Sequence, residues 1–192
     1  MKKYFLSLIF SFAITAVGYC YTYSDYDFND FNGHQYALTL ELSNWTQAEA
    51  WAIEVGGHLA TINDNVENTW LAAFITAGNE ENEWYSYGTG WIGLEYISGN
   101  RNSPDSWQWT SDEPVTFFNY PADLYYEGTH MYLHGSDHPV SPGKWNCNPV
   151  HDSYPGDYLP GVIEIVPEPT TILLLGFGGL TLLRKRRTTR QF

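Results

Sequence analysis

Three observations predict an α+β domain. Residues 44–71, NWTQAEAWAIEVGGHLATINDNVENTWL, read as helix, tight glycine break, short strand and second helix. Short strand signals follow at 91–94 (WIGL), 107–109 (WQW) and 161–166 (GVIEIV). From residue 110 to about 150 the periodicity is weak and Pro, Gly, Asn, Asp and His abound. A loop of that length inside a compact domain is usually either functional or disordered.

In chain order, residues 1–18 look like an export signal. Lys2 and Lys3 give a basic start, residues 5–12 an apolar run, and Ala16-Val17-Gly18 a small-x-small cleavage site. A lipidated cysteine wants a small residue before it, and Tyr19 precedes Cys20. Residues 19–32, YCYTYSDYDFNDFN, are charged and lack apolar aliphatics, so a loosely held acidic and aromatic leader is expected there. Residues 34–42 carry the first strand pattern. Asn44 can cap a helix while Gln47 reaches back to it, and Trp45, Ala48, Ala52 and Val55 recur at helical spacing. Gly56-Gly57 ends the helix where a left-handed residue is wanted.

Residues 58–62 suit a strand. Asp64 and Glu67 form a second capping box, with Val66, Trp70 and Phe74 as the apolar stripe of the helix that follows. A polar connection (78–90) leads to the strand signal at 91–94. Within the long loop, 131–133 and 145–146 read as strand pieces.

Residues 167–192 form a separate unit. Pro167-Glu168-Pro169 precedes an uncharged run over 170–183 and the cluster Arg184-Lys185-Arg186-Arg187. The run falls short of the roughly 20 residues of a comfortable membrane span. It is expected to form a short transmembrane helix whose basic end stays on the cytoplasmic side.

The net charge of −13 understates the acidity of the middle of the chain. Between residues 19 and 166 only Arg101 and Lys144 oppose 21 of the 22 acids, a balance of about −19. Such a surface repels nucleic acid and anionic lipid. It either keeps an exported protein soluble or attracts divalent cations and cationic partners. The two cysteines, Cys20 and Cys147, leave room for one bridge and no disulfide framework.

The C-terminal unit, residues 166–187, resembles the PEP-CTERM sorting signal in its Pro-Glu-Pro, short glycine-containing apolar segment and arginine-rich end. The resemblance implies a Gram-negative bacterium, exosortase processing that removes the tail, and release or display in the cell envelope, at the surface or in a biofilm matrix. Residues 33–166 resemble a C-type lectin-like domain. The resemblance rests on WTQAEAWAIEVGGHLATI, ENTWL, WIGL, WQWTSDEPVTFFNY, KWN and GVIE in that order. It implies two helices flanking a small, twisted, mostly antiparallel sheet with a long loop region above it, and a binding module, not an enzyme.

The calcium-dependent sugar readers of that family use a Glu-Pro-Asn or Gln-Pro-Asp triplet in the long loop and Trp-Asn-Asp in the next strand. A hard cation wants several oxygen ligands and can then accept vicinal sugar hydroxyls. Here Glu113-Pro114-Val115 lies before Phe117-Phe118-Asn119-Tyr120, whereas the triplet should follow it. The equivalent place falls near Leu124-Tyr125-Tyr126, which offers no carboxylate or amide. Trp145 and Asn146 are kept, and Cys147 replaces the aspartate with a poor calcium ligand.

Asn146 is thus the one matched ligand, with Glu127 and Asp137 as unaligned metal candidates. A sugar held without calcium would use Asn119, Tyr120, Tyr125, Tyr126 and Asn146 by stacking and amide hydrogen bonds. The same aromatic residues could equally be packing. His130, His134 and His138 recur every fourth residue near Asp137 and His151. On a strand, residues four apart lie about 13 Å apart and share no metal unless a bend at Gly135 intervenes. No nucleophile–base set stands out, and Cys147 could be a thiol or the partner of Cys20. The expected partners are carbohydrate or a matrix protein, the processing machinery and, before cleavage, the membrane. The alternative to sugar binding is a structural or protein-interaction role in the matrix.

Overall fold

The computed structural model describes residues 22–78, 88–120, 128–148 and 159–167. In chain order the elements are β1 (Asn29–Phe31), β2 (His34–Leu38), α1 (Trp45–Glu54), β3 (His58–Leu59), α2 (Asn65–Gly78), β4 (Thr89–Tyr96), β5 (Trp107–Trp109), β6 (His130–His134), β7 (Trp145–Asn148) and β8 (Val162–Ile165). The strands form two four-stranded sheets, ordered β1-β2-β8-β3 and β5-β4-β6-β7, with antiparallel pairing in all six ladders. Main-chain bonds join the sheets, from Gly93 N to Ala60 O (2.9 Å) and from Trp91 N to Pro160 O (2.8 Å). The architecture is the α+β one expected, with two helices and two small sheets where one sheet was read.

Helix α1 starts as its sequence dictates. The Asn44 carboxamide oxygen accepts the Gln47 amide at 2.9 Å, and Trp45, Ala48 and Ala52 are buried on its inner face. The two glycines after it do different things. Gly56 sits at φ +93°, the left-handed conformation that closes the helix. At Gly57 a Cβ would run into the backbone of Glu164, so this glycine lets the chain pass close against β8.

Helix α2 corrects the expected apolar stripe. Asp64 caps it, Oδ1 accepting from Val66 N (2.8 Å) and Glu67 N (2.9 Å). Its buried face is Glu67, Asn68, Leu71, Ala72 and Ile75, and Val66 is 64% exposed. The face is turned by about one residue because Glu67 and Asn68 have buried polar partners elsewhere in the chain. Trp70 and Phe74 form an outer layer instead, stacked on each other at 5.1 Å and reached by Phe31 at 4.5 Å from Trp70.

That outer layer also corrects the expectation of a loose leader. In its described part, β1 pairs with β2, Tyr26 is buried beside Ala37, Ala52 and Ile163, and Phe31 covers Trp70. Stacked aromatics replace the aliphatics the segment lacks. The main core lies between α2 and the sheet β5-β4-β6-β7 and is centred on Trp109, Trp145, Met131, Leu133, Ile92 and Leu94. Residues 110–120 carry no regular structure, yet Val115, Phe117, Phe118 and Tyr120 pack onto that core. The export signal, Cys20, His151 and the tail beyond Pro167 lie outside the described residues. No helix among the described residues is long and apolar enough to cross a membrane.

Candidate functional site

A cleft of about 340 Å³ opens between the first half of α2 and the loop joining β6 to β7. Asn65, Asn68, Thr69, Asn119, Ser136 and Lys144 provide its polar lining. Its floor is a set of locked amides. Asn68 accepts from Trp145 Nε1 at 2.6 Å and donates to Gly143 O at 2.9 Å. Asn119 donates to the same carbonyl at 2.7 Å, and its own oxygen takes Lys144 Nζ at 2.7 Å. Gly143 can turn its peptide this way because it sits at φ +66°. The loop is latched to α2 farther along, where Thr76 Oγ1 accepts Ser136 N (2.9 Å) and donates to Asp137 (3.0 Å).

Of the residues read as candidate ligands, Asn119 stands in this cleft. Tyr120, its neighbour, points into the core with its hydroxyl 3.6 Å from Cys147 Sγ. Asp137 is engaged by Thr76 on α2. Asn146 is 6% exposed, and its side-chain oxygen accepts the Cys147 amide at 2.9 Å. Successive strand residues point to opposite faces, so Asn146 and Cys147 do not share a surface of β7. Tyr125, Tyr126 and Glu127 lie outside the described residues.

The histidines behave as strand residues must, with one exception at the bend. His130 stacks on Trp45 at 4.0 Å, whereas the turn after Gly135 folds His138 back onto His134 at 3.8 Å. Burial lowers His130 to about 4, and burial together with the neighbouring His138 lowers His134 to about 4. Both folded values lie below the unfolded value near 6.5, so the unfolded chain binds more protons in that interval. Stability is therefore expected to fall as pH drops from about 6.5 to about 4, by up to roughly 2 kcal/mol per histidine after discounting residual solvent contact. Urea midpoints measured across this range for wild type and a His130→Gln/His134→Gln protein check it. An unchanged slope in the variant would refute the assignment.

The sequence reading missed a buried polar cluster behind α2. His34 Nδ1 lies 2.5 Å from Glu164 Oε1, and the Tyr36 hydroxyl donates to Glu67 Oε1 at 2.5 Å, with Glu164 Oε1 at 3.2 Å. The outer carboxylate oxygens take backbone amides, Thr61 N on Glu164 and Asn63 N on Glu67, both at 2.8 Å. Strand register explains the assembly, because Tyr36 pairs directly with Glu164 across β2 and β8. Burial, then Glu164, pushes the Tyr36 phenol well above its usual value, and burial raises Glu164.

Ligand atoms of His34, Glu67 and Glu164 all fall within 4.8 Å of one another. No salt bridge from lysine or arginine reaches these carboxylates among the described residues. An imidazole and two buried carboxylates fit a divalent cation, zinc better than calcium. The available signal was a lone acid within an apolar strand, Glu164 in GVIEIV, which had to be either exposed or partnered.

Residues 41–153 match the family described as the lectin C-type domain, and residues 166–187 match the PEP-CTERM protein-sorting motif. Snaclec bitiscetin subunit alpha of Bitis arietans is 31% identical over 94 residues, which span 48% of this chain and 66% of that protein, just under two thirds of its length. Human lithostathine superposes with a TM-score of 0.56 at 20% identity, covering 72% of this chain and 95% of that one. A Ca2+-independent C-type lectin from Saxidomus purpuratus superposes with a TM-score of 0.54 at 16% identity, covering 74% and 93%. At these identities the two superpositions speak for the fold alone.

Proposed function

The chain belongs to the C-type lectin domain family and carries a PEP-CTERM sorting motif, and on that footing we propose that this exported lectin-like module binds carbohydrate without a long-loop calcium ion. The observation that carries the calcium half is at Asn146. Its carboxamide oxygen, the one family ligand retained in the sequence, is occupied by the amide of Cys147. A cation arriving there would have to break a buried hydrogen bond, and Cys147, in the place of the family's aspartate, brings it no carboxylate oxygen. The carbohydrate half rests on family membership and on the amides and hydroxyls that line the cleft around Asn119. Polysaccharide of the producer's own matrix is the natural ligand in this reading. The producer is a Gram-negative bacterium, and the tail holds the protein at the membrane until it is processed.

A glycan array probed with and without chelator tests the proposal. Binding that survives chelation is expected, and no glycan signal at any calcium level would remove the carbohydrate reading. The acidic surface favours a second reading, assembly with a cationic matrix protein, and a defined protein partner in a matrix pull-down would support it. Sorting is tested separately. Deleting residues 167–192 is expected to abolish surface delivery, and unchanged delivery would defeat the sorting role.

A further inference from the structure

We infer that the cleft between α2 and the β6–β7 loop is the sugar subsite, and that it takes one neutral saccharide unit by hydrogen bonds alone. The inference rests on the carbohydrate reading above and adds the place, the ligand class and the mode of recognition.

The lining is unusual for this chain. The domain is crowded with acids and aromatics, yet among the described residues neither an acid nor an aromatic ring lines the cleft. Its described lining has no carboxylate to gather a cation and no ring for stacking, and its apolar part is limited to Ala72 and Pro142. What it offers is an alternation of donors and acceptors: the amides of Asn65 and Asn119, the hydroxyls of Thr69 and Ser136, and the ammonium of Lys144, over the buried amide of Asn68. Neutral vicinal hydroxyls, each both donor and acceptor, match such a set.

The site is also built in advance. The amides of Asn68 and Asn119 converge on Gly143 O, and Lys144 Nζ is held on Asn119. That ammonium has three N–H bonds and Asn119 takes one, which leaves two for a ligand. Groups already fixed lose little further freedom on binding. The volume, about 340 Å³, lies at the small end of ligand clefts and suits a single sugar residue with its linkage. The domain's other cation, Arg101, is spent on the Tyr96 ring and the Gly128 carbonyl. An acidic polymer would meet one lysine against a strongly negative surface, so the neutral unit is favoured.

Side-chain amide resonances followed by heteronuclear NMR test this, with methyl hexosides of glucose, galactose and mannose and with glucuronate as titrants, in chelator. At least one neutral hexoside is expected to shift the amides of Asn65, Asn68 and Asn119 in a saturable way. The surface variant Asn65→Ala/Lys144→Met should weaken it at least about tenfold while the fold, read from the remaining spectrum, is kept. Three results overturn the inference. One is sugar binding that the double variant leaves unchanged, which would place the site elsewhere while the carbohydrate reading stands. Another is glucuronate bound in preference to every neutral hexoside. The third is no binding of any titrant by the wild type, and a silent glycan array beside it would remove the carbohydrate reading as well.

Discussion

Trp145→Ala is expected to cost about 3–5 kcal/mol of folding stability, a large share of what a domain of this size possesses. Trp145 is fully buried, with Trp109 of β5 and Phe117 and Phe118 of the long loop around it at 5.6, 5.6 and 5.9 Å, so the loop helps to close the core. Its indole N–H is also the anchor of Asn68. Removing the ring therefore opens a cavity, frees residues 117–118 and leaves the Asn68 oxygen without its donor. Trp145→Phe keeps much of the volume and is expected to cost about 1–3 kcal/mol, chiefly for the unsatisfied Asn68. Urea unfolding of the two variants gives the comparison. A loss below about 1 kcal/mol for Trp145→Ala would mean that the loop does not close the core.

Glu67→Ala should cost nearly as much, about 2–4 kcal/mol, for a different reason. It removes the shorter bond of the fully buried Tyr36 hydroxyl, which keeps Glu164 at 3.2 Å, and the acceptor of the Asn63 amide. The milder Glu67→Gln keeps shape and separates packing from charge. If the His34–Glu67–Glu164 group holds a cation, wild type should gain about 2.7 kcal/mol at a hundredfold excess of metal over its Kd, with zinc giving a larger rise in Tm than calcium. Glu67→Gln and Glu164→Gln should lose that rise. A metal response that persists in both would place the binding elsewhere, and no response in wild type would leave the cluster held by its protons.

Helix α1 was legible in its Asn44 cap, its apolar stripe and its glycine stop, which lie within a dozen residues, but not in its buried Glu49, which holds His58 and the Leu59 amide. Strands at WQW and GVIEIV were equally plain. The place where the family's calcium triplet would fall, near residues 124–126, lies outside the described residues, so its loss rests on residue types alone. Helix α2 was misread for a reason that is general. Hydrophobic periodicity treats polar residues as outward, and here Glu67 and Asn68 face inward to Tyr36 and Trp145, 31 and 77 residues away. No local pattern carries such partnerships. The cleft was hidden in the same way: Asn119 was picked out, but Asn65, Asn68 and Lys144 join it only through the fold. The leader misled because its apolar content is all aromatic, and its value lies in stacking on Trp70.

Strand β8 ends two residues before the Pro-Glu-Pro that begins the sorting motif. It is an interior strand, flanked by β2 on one side and β3 on the other, and its Glu164 side chain is further tied to the Thr61 amide. Traction on the tail therefore runs along the strand axis and loads both ladders in shear, so that their bonds must yield together instead of opening one after another. In the proposed anchored state, a tether here grips the domain by an interior strand.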